Sequence, residues 1–122
     1  MLPSATNLED VPPLTRLFRA LGDETRVRIV ALLTHGELCV CHLEQALGLS
    51  QPGASRHLAI LKAAGIVDSR REGTWVYYRI IEQEYASAGR VLELVAATFG
   101  SARALRADHA RLQKACGPDA CK

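Results

Sequence analysis

The chain has 122 residues, of which 48% are hydrophobic and only 5% aromatic, and its formal net charge is +2. That length fits one domain, and the scarcity of aromatic residues favours a mostly helical interior over a β-sandwich or a β-barrel. The sequence shows no signal peptide and no apolar run long enough to cross a bilayer, so it predicts a cytoplasmic protein with no membrane partner.

The first predicted elements are an irregular arm and two helices. Three prolines fall within the arm, residues 1–13. Apolar residues then recur at helical spacing and predict a first amphipathic helix: Leu14, Leu17, Phe18 and Leu21. Gly22 ends this helix, and Asp23 is placed to cap a second helix that reaches about Thr34.

The next two predicted helices follow the order of a helix-turn-helix. A short third helix runs from about Val40 to Leu47, and the turn after it contains Gly48. Ser50 caps a fourth helix, which Gly65 ends. One face of the fourth helix carries a stripe that we expect to be buried: Ala54, Leu58 and Leu61. In a helix-turn-helix the second helix enters the major groove of DNA.

A β-hairpin pattern follows the helix-turn-helix. Residues 66–71 and 75–81 are rich in β-branched and aromatic side chains and are separated by a short glycine turn. A long helical pattern begins at about residue 82, and residues 115–122 form a flexible, cysteine-containing tail. The sequence therefore predicts a mainly α fold with a small β-hairpin wing, a winged helix-turn-helix domain over residues 14–114. Its first and last helices carry excess apolar surface, which predicts a homodimer.

Positive charge is concentrated in the helix-turn-helix and the hairpin. Between Ser50 and Arg79, five basic residues face two acidic ones, and the rest of the chain is about neutral. Such a field suits a phosphate backbone, although scattered arginines can also simply face solvent. The residues placed to contact bases or phosphates are Gln51, Ser55, Arg56 and His57 on the fourth helix, with Arg70 and Arg71 on the hairpin.

The chain has four cysteines. In a reducing compartment they are expected to be free thiols, which favours metal or redox chemistry over disulfides. Cys39 and Cys41 lie at the start of the third predicted helix. Residues two apart on a helix point about 200° away from each other, so we expect both thiolates to reach one ion only if that turn bends or unwinds. Cys116 and Cys121 are further candidate ligands or inert exposed thiols.

Four segments form a specific combined pattern. In one-letter code they are LGDETR at 21–26, ELCVCHL at 37–43, LSQP at 49–52 with SRHL at 55–58, and REGTWVYYR at 71–79. Leu61 and Gly65, between the last two segments, belong to the same pattern. Together they resemble the ArsR/SmtB family of repressors, most closely its arsenic-responsive branch. The resemblance implies a homodimeric repressor of an arsenic-resistance operon that occupies an inverted-repeat operator in double-stranded DNA. It also implies release when As(III) or Sb(III), supplied as arsenite or antimonite, binds cysteine thiolates, with no cofactor required.

One position departs from the family pattern. Glu44 stands where the arsenic-sensing pattern has a third cysteine, and a carboxylate is a hard, poor partner for arsenic. A thiol of Cys116 or Cys121 from either subunit, a small thiol, or no third protein ligand all fit the sequence. The D-x-H pair of the zinc-sensing branch is not matched, because residue 110 is alanine.

Two other functions fit part of the pattern. A repressor of the same fold could respond to cadmium, lead or zinc, or to thiol oxidation. A small thiol enzyme such as an arsenate reductase would use Cys116 and Cys121 as a nucleophile and a resolving thiol. The sequence around these two cysteines has neither an anion-binding loop nor a partner base, so we expect the chain not to be an enzyme.

Overall fold

The described part of the chain, residues 8–99 and residue 110 of a computed structural model, starts with helices. A 3-10 turn at Leu8–Asp10 leads into helix α1, Val11–Leu21, and helix α2 follows at Glu24–Leu33. The predicted irregular arm reaches residue 13, but α1 already begins at Val11, so the prediction is wrong for the last residues of the arm. Prolines lie in the first turn of α1, where backbone N–H groups have no helical partner and a proline costs little.

The predicted helix-turn-helix is present. A two-residue strand, β1 at Leu38–Cys39, precedes helix α3, Val40–Leu47, and helix α4 follows at Gln51–Ala63. Gly48, in the turn between the helices, has a φ of 65°, a left-handed conformation that glycine adopts without strain. The predicted stripe of α4 is confirmed, since its three side chains are fully buried in the core.

Both predicted N-terminal caps are also confirmed. The carboxylate of Asp23 accepts a hydrogen bond of 3.1 Å from the backbone N–H of Arg26 at the start of α2. This hydrogen bond lowers the pKa of Asp23 below its usual value. At the start of α4, the hydroxyl of Ser50 accepts a hydrogen bond of 3.2 Å from the backbone N–H of Gly53.

The cap of α4 can be tested by its contribution to stability. We expect Ser50→Ala to lower the free energy of unfolding by about 1 kcal/mol, because the N–H of Gly53 loses its partner. Urea denaturation followed by circular dichroism measures this loss. The matched control is Ser55→Ala on the exposed side of the same helix, which should change stability by less than about 0.5 kcal/mol. An equal loss in both variants would contradict the capping role of Ser50.

The wing belongs to a three-stranded antiparallel sheet. Strands β2, Val67–Glu72, and β3, Trp75–Ile80, form the predicted hairpin, and β1 pairs with the other edge of β3. The two residues of β1 lie opposite Tyr78 and Tyr77. This strand was not predicted, because two residues are too few to show an alternating pattern. The hairpin is therefore joined through β1 to the start of α3.

Helix α5, Ala86–Phe99, packs mainly against α2 and also contacts α1. It begins four residues after the predicted start at Glu82. The rest of the predicted last helix, except residue 110, and the tail lie outside the described residues. The largest fully buried side chains of the described core include Leu17, Ile29, Leu32, Leu43, Leu58, Leu61 and Ile66. No helix of the described residues combines the length and the apolar character needed to cross a membrane.

Candidate nucleic-acid interface and thiol site

Helix α4 exposes the side that we predicted to face DNA. Gln51, Ser55 and Arg56 are exposed, whereas the apolar stripe of the same helix is buried. Residues four apart share a helix face, so Gln51 and Ser55 are neighbours on the surface. These side chains lie in the first two turns of the second helix, the part that meets base edges in helix-turn-helix proteins.

His57, also predicted to contact DNA, is turned toward α2. Its Nδ1 atom accepts a hydrogen bond of 3.2 Å from the guanidinium of Arg26, and a carboxylate oxygen of Asp23 lies 3.9 Å from the same nitrogen. Nε of Arg26 donates a hydrogen bond of 2.6 Å to the carbonyl of Ala20. His57 therefore links α4 to the beginning of α2, and its contact with DNA stays a prediction.

The two arginines predicted on the wing have different surroundings. The side chain of Arg71 is exposed and forms no hydrogen bond or ion pair with the other described residues. Arg70 is bound by two carboxylates: its Nη2 lies 2.7 Å from Oε1 of Glu37, and its Nη1 lies 2.9 Å from Oε2 of Glu72. The guanidinium carbon of Arg70 also lies 4.5 Å from the ring centroid of Tyr77. Arg71 is available to a phosphate, whereas Arg70 is already engaged.

Glu37 is a residue whose role the sequence did not reveal. It precedes Arg70 by 33 residues, and no local pattern connects the two. The sheet brings them together: β1, which follows Glu37, and β2, which carries Arg70, both pair with β3, and the two side chains meet across it. The hydrogen bond from Arg70 holds the pKa of Glu37 below its usual value, so the carboxylate is ionised at neutral pH.

The sulfur atoms of Cys39 and Cys41 lie 3.1 Å apart. Cys39 is the last residue of β1 and has φ −70° and ψ 145°, so only Cys41 lies in the helix. The prediction that the first helical turn must bend or unwind before both sulfurs reach one ion is wrong, because it placed both cysteines on the helix. The extended backbone at Cys39 already brings the two sulfurs together.

The chemical states of the two cysteines differ. Cys39 is a free thiol and is only 2% exposed. Cys41 is disulfide-bonded in the structure, so the expectation that it is a free thiol is not met. One ion can be bound by both sulfurs only after that bond is reduced. Cys116 and Cys121, the other predicted candidate ligands, lie outside the described residues.

A cleft of about 720 Å³ connects the thiols to the exposed side of α4. Its lining includes Cys39, Cys41 and Glu44, then Gln51 and Ser55 of α4, and Arg70, Arg71 and Thr74 of the hairpin. Across residues 8–99 and residue 110, no three or more His, Cys, Asp or Glu side chains are grouped so that they could hold a metal ion. The cleft thus offers two neighbouring sulfurs and places them beside the predicted DNA contacts.

A helix-turn-helix with an exposed polar side, followed by a hairpin with an exposed arginine, defines a winged-helix DNA-binding protein. Residues 23–69 match the family model described as bacterial regulatory protein, arsR family. A homodimeric winged helix-turn-helix DNA-binding domain from Mycobacterium bovis, described as a possible ArsR-family regulator, superimposes with a TM-score of 0.63. It is 31% identical, and the match covers 80% of this chain and 91% of that domain. This neighbour confirms the predicted fold.

Curated relatives agree with the family model. An arsenic resistance transcriptional regulator of Pseudomonas putida is 56% identical over 70 residues, 57% of this chain and 53% of the relative. The arsenical resistance operon repressor of Escherichia coli is 48% identical over 79 residues, 64% of this chain and 68% of the relative. A cadmium resistance transcriptional regulatory protein of Listeria innocua is 43% identical over 72 residues, 58% of this chain and 60% of the relative.

The matches span between 53% and 68% of the length of these three relatives. The chain belongs to the ArsR family of bacterial transcriptional regulators. Because the members that it matches are named as regulators, the alternative of a thiol enzyme is not supported.

Proposed function

We propose that this chain is a homodimeric, cytoplasmic repressor of an arsenic-resistance operon, and that As(III) or Sb(III) releases it from double-stranded operator DNA by binding Cys39 and Cys41. The observation that carries the proposal is the 3.1 Å separation of the two sulfurs at the start of the helix-turn-helix. Two relatives named for arsenic resistance, at 56% and 48% identity, support the choice of inducer.

Once Cys41 is reduced, the two adjacent thiols suit arsenite chemically. Thiolates are soft ligands and select soft ions over Mg²⁺ or Ca²⁺. When a thiol reacts with arsenous acid, an As–S bond forms, and the thiol proton leaves with one arsenic hydroxyl as water. Arsenic remains trivalent, so no oxidant or reductant is consumed in this step. Two such exchanges, at Cys39 and at reduced Cys41, would hold one arsenic atom in the cleft.

We propose that the third sulfur comes from the tail. Glu44 lines the same cleft, but its carboxylate is too hard to be a good arsenic ligand. The remaining cysteines of the chain are Cys116 and Cys121, and either one, from the same or the partner subunit, would complete a three-sulfur site.

The proposed DNA contacts lie on α4 and the wing. Gln51, Ser55 and Arg56 would meet base edges or phosphates in the major groove, and Arg71 would meet the backbone beside it. A two-fold dimer presents two copies of this surface, so its operator would be an inverted repeat.

The decisive experiment is a DNA-shift assay against the chain's own upstream region, with and without arsenite, using reduced protein. We expect a shifted complex that arsenite abolishes. A complex that persists at saturating arsenite would exclude arsenic sensing, and the absence of any complex would exclude operator binding at that region.

A second candidate is a repressor that responds to cadmium, lead or zinc, which the 43% identity with a cadmium regulator favours. Titration of the reduced protein with each ion, followed by ultraviolet absorbance, separates the two. If arsenite is the inducer, it should saturate the thiols and release DNA at lower concentration than the divalent ions. Release by an oxidant without arsenite would instead identify a thiol-redox sensor.

The dimer can be tested through the apolar side chains that one subunit leaves uncovered. Phe18 on α1 is 55% exposed and Leu94 on α5 is 64% exposed. We expect a dimer at micromolar concentration in analytical ultracentrifugation, and a shift toward monomer for Phe18→Asp because a charge would be buried at the interface. Trp75→Asp, an exposed apolar position on the wing, is the control and should remain dimeric. A monomeric wild type would contradict the proposed inverted-repeat operator.

A further inference from the structure

The side chain of Arg70 is held by three groups of the protein. Nη2 lies 2.7 Å and Nε lies 3.0 Å from Oε1 of Glu37, and Nη1 lies 2.9 Å from Oε2 of Glu72. The guanidinium also lies over the ring of Tyr77. Two donors of one guanidinium directed at one carboxylate define its orientation as well as its position. We call this group of four side chains the Arg70 cluster.

The Arg70 cluster extends across the full width of the sheet. Tyr77 of β3 lies opposite Cys39 of β1 on one side and opposite Arg70 of β2 on the other. Glu37 comes two residues before Cys39 and reaches past β3 to Arg70. The ion pair and the strand pairing therefore both connect the segment that carries Cys39 to β2, one of the two strands of the wing.

The charge of the Arg70 cluster is unfavourable for binding a phosphate. Two carboxylates surround one guanidinium, so the formal net charge of the cluster is negative. The side chain of Glu37 is only 29% exposed and that of Arg70 is 50% exposed. Three of the five N–H donors of the guanidinium are already directed at carboxylates, so a phosphate would meet only two remaining donors and would lie against two negative charges. The side chain of Arg71, the next residue, is exposed and has no carboxylate bound to it among the described residues.

We propose that Arg70 is a positioning residue, which couples the segment carrying Cys39 to the wing through Glu37 and Tyr77 and does not contact DNA. This inference rests on the proposed function and concerns how the thiol site acts on the DNA-binding surface. Since the two sulfurs are already adjacent, arsenic does not need to unwind α3. A displacement of Cys39 on binding is instead passed to the wing, because Glu37 is in the same segment as Cys39 and Tyr77 is paired with Cys39.

The test compares two substitutions that remove the same charge. Glu37→Gln removes the ion pair between β2 and the residue that precedes β1, whereas Glu72→Gln removes an ion pair within β2, the strand of Arg70. Arg70→Gln and Arg70→Lys complete the set, because lysine keeps the charge but cannot present the paired donors of a guanidinium. Affinity for the chain's own upstream DNA is measured by fluorescence anisotropy at several salt concentrations, then with increasing arsenite.

If Arg70 positions the wing, Glu37→Gln, Arg70→Gln and Arg70→Lys should each weaken DNA binding relative to Glu72→Gln, by about two- to fivefold. The double variant Glu37→Gln with Arg70→Gln should be no weaker than the single variants, and the salt dependence should not change. The ratio between affinities without and with arsenite should fall by a similar factor in these variants. Thermal unfolding of each variant confirms that it is folded.

If Arg70 contacts a phosphate, the pattern is different. Arg70→Gln would then lower the salt slope by about one, Arg70→Lys would bind like wild type, and Glu37→Gln would bind more tightly because it frees the guanidinium. Any of these three results overturns the proposal, as does wild-type affinity and release in all variants. If wild-type protein binds DNA but ignores arsenite, the proposed function fails, while the comparison without arsenite still decides whether Arg70 touches DNA.

Discussion

Replacing Cys39 with serine is expected to leave operator affinity unchanged and to abolish release by arsenite. Cys39 is buried and supplies one of two sulfurs that lie 3.1 Å apart, so its loss removes the sulfur pair at the start of the helix-turn-helix and leaves the proposed three-sulfur site incomplete. In the wild type, a coupling of about 1–3 kcal/mol between the two sites corresponds to a loss of about 5- to 150-fold in operator affinity. Cys41→Ser should behave like Cys39→Ser.

The measurement is operator affinity against arsenite concentration for reduced protein, by fluorescence anisotropy. Cys39→Ala accompanies the serine variant, because a buried hydroxyl can destabilise the core independently of arsenic. The double variant of Cys116 and Cys121 should need more arsenite for release if one of them is the third ligand. If Cys39→Ser and Cys41→Ser release DNA at the wild-type arsenite concentration, the sensing site lies elsewhere in the chain.

Arg56→Ala is expected to weaken operator binding by about 1–3 kcal/mol and to relax the preference for one base pair. Its side chain is exposed on α4, on a helix whose other side is fixed in the core. Arg71→Ala should instead weaken binding to operator and to scrambled DNA alike and lower the salt slope by about one. The two variants are therefore distinguished by their affinity for scrambled DNA relative to the operator: Arg56→Ala should reduce this specificity, whereas Arg71→Ala should leave it unchanged.

Titrations of operator and scrambled DNA at several salt concentrations give the specificity for the operator and the salt slope of each variant. Arg90→Ala is a suitable control, because this exposed arginine lies on α5, outside the proposed interface. Its dimer fraction should be checked by ultracentrifugation. Unchanged operator binding in both Arg56→Ala and Arg71→Ala would show that the DNA-binding surface has been placed wrongly.

The elements that could be predicted from the sequence are marked by interacting residues that lie within a few positions of one another. Asp23 and Ser50 cap helices through hydrogen bonds to residues three positions later, and Gly48 has the backbone conformation that ends α3. The apolar stripe of α4 likewise repeats within one helix. Each of these features depends on local chain geometry, which sequence spacing describes directly.

The features that could not be predicted depend on distant residues. Cys39 pairs with Tyr77, which is far along the chain, and this pairing removes Cys39 from the helix. The geometry of the thiols was therefore predicted wrongly although the residues themselves had been singled out. Phe18 shows a related limit: spacing identifies the residues that share the apolar face of α1, but it does not tell which of them the same subunit covers.

The link between His57 and α2 has a mechanical consequence. Because His57 interacts with Arg26 and lies close to Asp23, α4 cannot pivot on its own without losing contacts at the start of α2. The two helices should therefore move as one rigid body. In a dimer, the distance between the two recognition helices would then change by rotation of whole subunits, and amide hydrogen exchange within α4 would stay slow in both the bound and the released state.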